Sequence, residues 1–153
     1  MPTRAFDPPA RAECLATPDC LARLLDLVDR YCADNGVDGA SQHDLHLIAE
    51  EACFNVISHA YPAGVPGRLS LQVGARHIDG RPLVEITVQD DGVPFDPLAG
   101  QVTPRTAPVE EMAPGGLGVL LIRRLSDRQN YRRDPRGGNV LTLGKFITTG
   151  PSH

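Results

Sequence analysis

One predicted helical stretch carries three polar side chains at four-residue spacing: Glu51, Asn55 and His59. Four residues of an α-helix turn through about 400° and rise about 6 Å, so these side chains form one polar stripe. A carboxylate one turn before a carboxamide can accept a proton or orient a water, while the amide oxygen can bind a hard cation. The same spacing is common on the solvated face of ordinary amphipathic helices, so the stripe alone does not establish a site.

Two further clusters with possible chemistry follow later in the chain. Asp90 and Gly92 lie where a strand is predicted to end, and such a carboxylate can accept a hydrogen bond from an exocyclic amine beside a glycine that a flat ring can approach. An ordinary strand-end turn has the same pattern. Residues 115–118, Gly-Gly-Leu-Gly, lead into a helix whose exposed N–H groups and positive end attract phosphate. Neither a Walker A loop nor a dinucleotide fingerprint is present in the sequence, so a nucleotide site needs another geometry.

The elements that position these clusters follow from hydrophobic periodicity, helix-start residues and turn residues. In chain order they are a helix from Thr17 to about Gly36, a helix from near Ser41 to about Ala60, strands 68–74 and 83–89, a helix from 115, and strands 129–133 and 139–147. This order differs from the strand–helix–strand alternation of a parallel doubly wound sheet. It predicts an α+β fold, a two-layer sandwich of a mixed, mostly antiparallel sheet with helices on one face.

The chain of 153 residues is predicted to hold a single domain, 13–148, with a short C-terminal tail at 149–153. The proline-containing segment 1–12 is interpreted as a loose tail or an edge strand. Segment 98–114 shows no sustained periodicity, and a stretch of this length inside a small domain is typical of a lid, a binding loop or a disordered segment.

Composition excludes several classes of function. A net charge of −4 gives no reason to expect general binding to nucleic acid, which favours a basic surface. No apolar run approaches the roughly 18 residues of a membrane span, and the start lacks a secretion signal, so the sequence predicts a cytoplasmic protein without membrane contact. The 4 cysteines form no C-x-x-C pair. They predict neither a zinc site nor, in a reducing compartment, a disulfide.

Taken together, the three clusters resemble the motifs of the gyrase/histidine-kinase/mismatch-repair (GHKL) ATPase superfamily in order and spacing. The resemblance covers roughly residues 15–147. The continuation from Asn55 through His59-Ala-Tyr61, the Gly-x-Pro-Phe-Asp-Pro run from Gly92, and the short lid resemble more narrowly its bacterial anti-sigma-factor serine/threonine-protein kinase branch.

The resemblance implies a role for the first two clusters. Glu51 would be the catalytic carboxylate that activates the attacking hydroxyl, and Asn55 would ligate the Mg²⁺ that bridges the phosphates of ATP. Asp90 would accept a hydrogen bond from the adenine amino group, with Gly92 beside the ring. These roles suit phosphoryl transfer, which asks a protein mainly for positioning and charge compensation.

The resemblance also assigns the remaining site residues. Gly116 and Gly118 would flank the phosphates under an ATP lid at about 98–114, and His59 matches a position near the phosphate end of the nucleotide. Pro94 departs from the superfamily, where a second glycine often stands two residues after the first. A proline there stiffens the loop and removes a hydrogen-bond donor.

The function implied by the resemblance is an anti-sigma regulatory factor that depends on ATP and Mg²⁺. It would bind an RNA polymerase sigma factor and phosphorylate a serine or threonine on an anti-anti-sigma antagonist protein, without direct contact to nucleic acid. Relatives of this kind also form homodimers. Two alternatives are a nucleotide-binding regulator that acts only by sequestering proteins, and the ATP-binding fragment of a histidine kinase.

The arginine-rich stretch 123–136 has two interpretations. One is a solvated face on which Asp127 and Asp134 pair with the arginines, as surface charges usually do. The other is a docking surface for an acidic protein partner.

Overall fold

The computed structural model describes residues 5–98 and 116–149. Its elements are β1 (Ala10–Leu15), α1 (Pro18–Asp34), α2 (Gly39–His59), β2 (Arg68–Ile78), β3 (Arg81–Asp90), α3 (Gly116–Leu125), β4 (Arg128–Arg133) and β5 (Asn139–Phe146). Each predicted helix and strand is present, and β1 begins inside the segment interpreted as a tail or an edge strand. The predicted lid lies outside the described residues from residue 99 to residue 114. The division of the chain into one domain and its tails stays a prediction.

The strands form a 5-stranded sheet in the order β1-β2-β3-β5-β4. Every neighbouring pair in it is antiparallel. β2 and β3 are joined at Asp79 and Gly80, whose φ angles of 52° and 80° suit the tight turn of a hairpin. Apolar side chains of the sheet and of the helices share one core, so the helices cover one face of the sheet. The predicted α+β class is confirmed.

The helix starts follow from capping side chains. Thr17 caps α1 and accepts a hydrogen bond from the Cys20 amide at 3.4 Å, with Pro18 at the first helical position, as predicted. α2 begins at Gly39, slightly earlier than predicted, because Asp38 accepts a hydrogen bond from the Ser41 amide at 3.0 Å. Partial burial alone would raise the pKa of Asp38. Hydrogen bonds from Ser41 and Thr148 outweigh this effect and lower the pKa to about 2.

The expectation that the cysteines form no disulfide is wrong for one pair. Cys14 in β1 and Cys20 in the first turn of α1 are disulfide-bonded, because the short connection between the two elements brings their Cα atoms to 5.7 Å. Cys32 and Cys53 are buried free thiols, and burial raises the pKa of each to about 12. Neither is poised to react as a thiolate at neutral pH.

None of the helices within the described residues combines the length and apolar character that a membrane span needs.

Candidate active site

A narrow cleft opens between α2 and the end of the sheet. Its walls join residues that are far apart in sequence, among them Asn55, Val56, Asp90, Phe95, Tyr131 and Asn139. The structure therefore brings the predicted Asn55 of α2 and the predicted Asp90 of β3 into one site. Apolar side chains beside a few convergent polar groups are typical of sites for small ligands.

Asn55 is buried in the cleft without a partner for its amide nitrogen. The side chain is 5% exposed, and Nδ2 finds no hydrogen-bond partner among residues 5–98 and 116–149. A buried polar group without a hydrogen bond lowers stability by about 1–3 kcal/mol. A residue that carries this cost inside a cleft is suited to a ligand that supplies the missing contact.

Asp90 is also buried but, unlike Asn55 Nδ2, its carboxylate has hydrogen-bond partners within the protein. Oδ1 accepts hydrogen bonds from the Gly92 amide at 2.8 Å and from Asn139 Nδ2 at 2.9 Å, and the residue is 3% exposed. Its side-chain hydrogen bonds in the described part of the chain all end at Oδ1. The second oxygen, Oδ2, is therefore the one that can accept a donor from a ligand.

Asn139 is a site residue that the sequence reasoning missed. Besides Asp90, its Nδ2 donates to the Val93 carbonyl at 2.8 Å, and its Oδ1 accepts from the Phe95 amide at 3.1 Å. It thus ties the strand end to the loop that follows. Correct pairing of the predicted strands would have pointed to Asn139, because Asp90 and Asn139 are direct partners in the β3–β5 register.

Two glycines let backbone segments approach closely around Asp90. Gly138 has φ 110°, and a Cβ there would overlap the Asp90 carbonyl oxygen. A Cβ at Gly92 would overlap the backbone of Ala60, whose carbonyl accepts a hydrogen bond from the Val93 amide at 3.0 Å. Gly92 therefore packs the loop against the end of α2, a role separate from the predicted contact with a ring.

Glu51 lies one turn before Asn55 and faces the start of α3. A Cβ at Gly118 would overlap Glu51 Oε2, so the glycine allows α3 to approach this carboxylate. Burial, and to a lesser extent the negative charge of Glu50, raises the pKa of Glu51 above its usual value. A half-buried carboxyl with a raised pKa is typical of a general base. Gly116, the other predicted glycine, is the first residue of α3.

His59 lies beside the cleft but does not line it. The side chain is exposed, and its ring stacks on the ring of Phe95 with centroids 5.5 Å apart. Because Phe95 forms part of the cleft wall, His59 supports that wall from outside. The structure therefore brings Asn55 and Asp90 into one cleft and places Gly118 against Glu51, while neither Glu51 nor His59 lines that cleft.

A polar network behind the cleft fixes the loop that follows Asp90. Arg68 donates two hydrogen bonds to the Asp91 carboxylate, at 2.9 and 2.8 Å, and one to Glu13 of β1 at 2.8 Å. The Tyr61 hydroxyl donates to the Arg68 carbonyl and accepts from the Asp91 amide. Hydrogen bonds from Arg68 hold the pKa of Asp91 below its usual value, so the pair stays charged at neutral pH.

The fold and the site together define a class of domain: an α+β sandwich in which a carboxamide on a helix and a buried aspartate at a sheet end line one cleft. The family described as "Histidine kinase-like ATPase domain" matches residues 14–145 of the chain. The chain therefore belongs to the histidine kinase-like ATPase domain family. The predicted resemblance to the superfamily is confirmed.

Two similar proteins are named as protein kinases. The chain is 32% identical over 113 residues to the serine-protein kinase RsbW of Halalkalibacterium halodurans, across 68% of this chain and 62% of the relative. It is 32% identical over 99 residues to the serine/threonine-protein kinase BtrW of Bordetella bronchiseptica, across 65% of this chain and 66% of the relative. The chain thus spans slightly less than two thirds of the length of these relatives.

Solved structures share the fold at low sequence identity. The crystal structure of the RsbU and RsbW domains of Rv1364c from Mycobacterium tuberculosis matches with a TM-score of 0.66 and 18% identity, over 98% of this chain and 35% of that one. A chain of the SiaB–SiaC complex from Pseudomonas aeruginosa matches with a TM-score of 0.55 and 16% identity, over 91% and 89%. These similarities support the fold assignment.

Proposed function

We propose that this domain binds ATP with Mg²⁺ in the cleft and transfers the γ-phosphoryl group to a serine or threonine of a partner protein. The observation that carries the proposal is the buried Asn55 carboxamide, which has no partner for Nδ2 within the described residues and lies in the same cleft as the buried Asp90. The Nδ2 group can donate a hydrogen bond to a phosphate oxygen, the amide oxygen of the same side chain is a ligand type that Mg²⁺ accepts, and Asp90 can accept from the amine at the other end of the nucleotide.

The side chains present fit the implied groups. Asn55 offers an amide oxygen, a ligand type that Mg²⁺ accepts, and Asp90 Oδ2 is suited to accept a hydrogen bond from the adenine amino group. Bound Mg²⁺ supplies charge compensation for the phosphates. Gly116 and Gly118 at the positive end of α3 would lie near the phosphates, as the family resemblance implies.

Glu51 is proposed as the general base. It would accept the proton of the attacking serine or threonine hydroxyl as that oxygen bonds to the γ-phosphorus and ADP leaves. Its raised pKa, caused by burial and by Glu50, brings it closer to the pH at which a carboxylate base works well. Its position against Gly118, which is proposed to lie near the phosphates, supports this role.

The proposed biological role is that of a cytoplasmic anti-sigma factor. The protein would sequester an RNA polymerase sigma factor and phosphorylate an anti-anti-sigma antagonist, and it would form a homodimer. The names of the similar serine-protein kinases support the phosphorylation of a protein. The SiaB–SiaC complex among the fold neighbours supports a protein partner.

The test is transfer of label from γ-labelled ATP, with Mg²⁺, to purified candidate antagonist proteins of the source bacterium. We expect the wild type to label a serine or threonine, and Glu51→Gln to bind ATP normally but transfer about 100-fold more slowly or worse. Glu50→Gln is the matched control, because it removes the neighbouring carboxylate and should keep most of the activity.

Two outcomes would contradict parts of this proposal. Full transfer by the Glu51→Gln variant would remove Glu51 as the base. ATP binding by the wild type without label on any candidate would favour the alternative of a regulator that binds nucleotide and acts by sequestration alone.

A further inference from the structure

The free edge of the sheet at β4 is strongly basic. Among residues 5–98 and 116–149, β4 is the terminal strand of the sheet and pairs only with β5, and five of its six residues are exposed. We define the arginine edge as Arg128 and Arg132 of β4 together with Arg136 of the following loop, all exposed. Arg133 of β4 is not part of it, because its guanidinium donates a hydrogen bond to the Gly92 carbonyl at 2.7 Å. The net charge of the whole chain is −4, so this basic character is local.

The acidic residues next to the arginine edge are engaged elsewhere. Asp127 accepts a hydrogen bond from the Phe146 amide at 2.8 Å, and Asp134 accepts from the Arg136 amide and from Gln89. Both carboxylates therefore stabilise turns and strand ends of their own hairpin. The structure does not show the pairing of Asp127 and Asp134 with the arginines that one sequence interpretation expected.

Four arginines among the described residues are paired with carboxylates, whereas Arg23, Arg81, Arg123 and Arg124 form no ion pair there. Arg11, Arg30, Arg68 and Arg76 each form an ion pair, and the acid Glu85 on the open face of the sheet is the partner of Arg76. Among residues 5–98 and 116–149, no ion pair involves an arginine of the arginine edge. The arginines of the edge therefore have no carboxylate within ion-pair distance among the described residues.

The geometry of β4 specifies the side-chain spacing that a strand added next to it would need. Tyr131 packs towards the core, so Arg128 and Arg132 lie on the opposite face of the sheet, with Asn130 between them. Four residues of a strand span about 13 Å. An added antiparallel strand with acidic side chains at positions i and i+4 would place each acid opposite one of these arginines.

A second copy of the same edge is a poor occupant. Pairing β4 with another β4 would bring arginines of the two chains together, and like charges across a strand pair are destabilising. Nucleic acid is disfavoured by the overall negative charge. An acidic polypeptide satisfies both the unpaired backbone of the edge and its charge.

We propose that the arginine edge is a docking site for an extended acidic segment of a partner protein, which adds to the sheet as a strand next to β4. Arg128 and Arg132 lie on the face of β4 opposite to Tyr131, which lines the nucleotide cleft, so the docking goes beyond the proposed function and does not require ATP. Backbone hydrogen bonds would supply affinity, and the spacing of the acids would supply specificity.

The test is an NMR titration of the ¹⁵N-labelled protein, without nucleotide, using a ten-residue threonine- and valine-rich peptide with glutamates at i and i+4. We expect saturable amide shifts concentrated at residues 128–138, and affinity that falls with salt. The matched peptide with glutamine at both positions should bind about tenfold more weakly. A version with alternate amides N-methylated should not bind, because it cannot form the strand ladder.

Protein variants complete the test. The double variant Arg128→Gln and Arg132→Gln should weaken binding of the glutamate peptide about tenfold. Arg23→Gln, which removes an exposed charge from α1, is the matched control and should bind like the wild type. Thermal melts check that both variants remain folded.

Several results would overturn the proposal. They are the absence of shifts at millimolar peptide, shifts located away from β4, equal binding by the double variant, or binding that survives N-methylation. Tighter binding of oligothymidylate than of the peptide would assign the edge to nucleic acid instead. Binding seen only after Glu110→Gln and Glu111→Gln would assign it to an acidic segment of the chain itself.

Discussion

At the scale of single residues, the cleft contains an amide nitrogen without a hydrogen-bond partner among the described residues and a carboxylate that the protein fixes through one of its oxygens. Asn55 is buried with Nδ2 unpartnered among the described residues, whereas Asp90 is held by Gly92 and Asn139. The first arrangement lowers stability and suits a contact that a ligand completes. The second fixes an acceptor in place before any ligand arrives.

Glu51 allows a residue-scale prediction about stability and pH. Because its pKa is raised in the folded protein, mainly by burial, the ionised carboxylate lowers the free energy of unfolding. This cost is absent below the ordinary pKa of 4.5 and is fully present above the raised value. We expect Glu51→Gln to raise Tm at about pH 7.5 and to leave Tm unchanged at about pH 4.

Differential scanning calorimetry at the two pH values checks this expectation. Glu50→Gln serves as the control, because it relieves only the charge repulsion and should raise Tm by less. A lower Tm for Glu51→Gln at neutral pH, or the same rise at both pH values, would show that Glu51 carries no desolvation cost.

At the scale of elements, the β4–β5 hairpin positions Asp90 through its glycines. Gly137 and Gly138 both have positive φ, 97° and 110°, but a Cβ at Gly137 meets no atom within 4 Å, whereas one at Gly138 overlaps the Asp90 carbonyl oxygen. Gly137→Ala should therefore cost about 1–2 kcal/mol of backbone strain. Gly138→Ala should cost more and also weaken ATP binding, because the clash displaces Asp90.

Chemical denaturation and ATP titration of the two alanine variants separate these effects. The Gly137→Ala variant is the control for strain alone and should keep its ATP affinity. Equal losses of stability and of affinity in the two variants would contradict the role given to the close approach between Gly138 and Asp90.

The sequence predicted the elements better than their mutual register. Alternating strands and the Asp79-Gly80 turn indicated β2 and β3, and Thr17-Pro18 marked the start of α1, because these are local patterns. Asn139 was missed because it meets Asp90 only through strand pairing across 49 positions. The Cys14–Cys20 disulfide was missed for a related reason, since it depends on how β1 enters α1.

The family resemblance was most informative about which residues are candidates for the site. Order and spacing identified Glu51, Asn55, Asp90 and Gly118, and the structure places the first two on one helix, the third at the facing sheet end and the fourth against Glu51. Of the three residues of the helical stripe, Asn55 lines the cleft, and Glu51 and His59 do not. Helical periodicity places a side chain on a face, and the exposure of His59 is set by how α2 ends beside Phe95.

At the scale of the whole molecule, the antiparallel sheet and the helix layer assemble a site from distant segments. The end of β3 lies beside the start of β5, and α2 packs above both. α3 meets α2 at Glu51 and Gly118. The arginine edge lies on the terminal strand of the same sheet, so a nucleotide and an acidic partner would occupy different surfaces of one domain.

The central claim, that ATP binds in the cleft between Asn55 and Asp90, is tested most directly by isothermal titration calorimetry with ATP and Mg²⁺. We predict one site in the wild type, a loss of at least about tenfold in affinity for Asn55→Ala only when Mg²⁺ is present, and a loss with and without Mg²⁺ for Asp90→Asn. Arg23→Gln, far from the site in sequence and exposed on α1, controls for a general effect of substitution. Wild-type affinity in both the Asn55→Ala and the Asp90→Asn variants would contradict the claim.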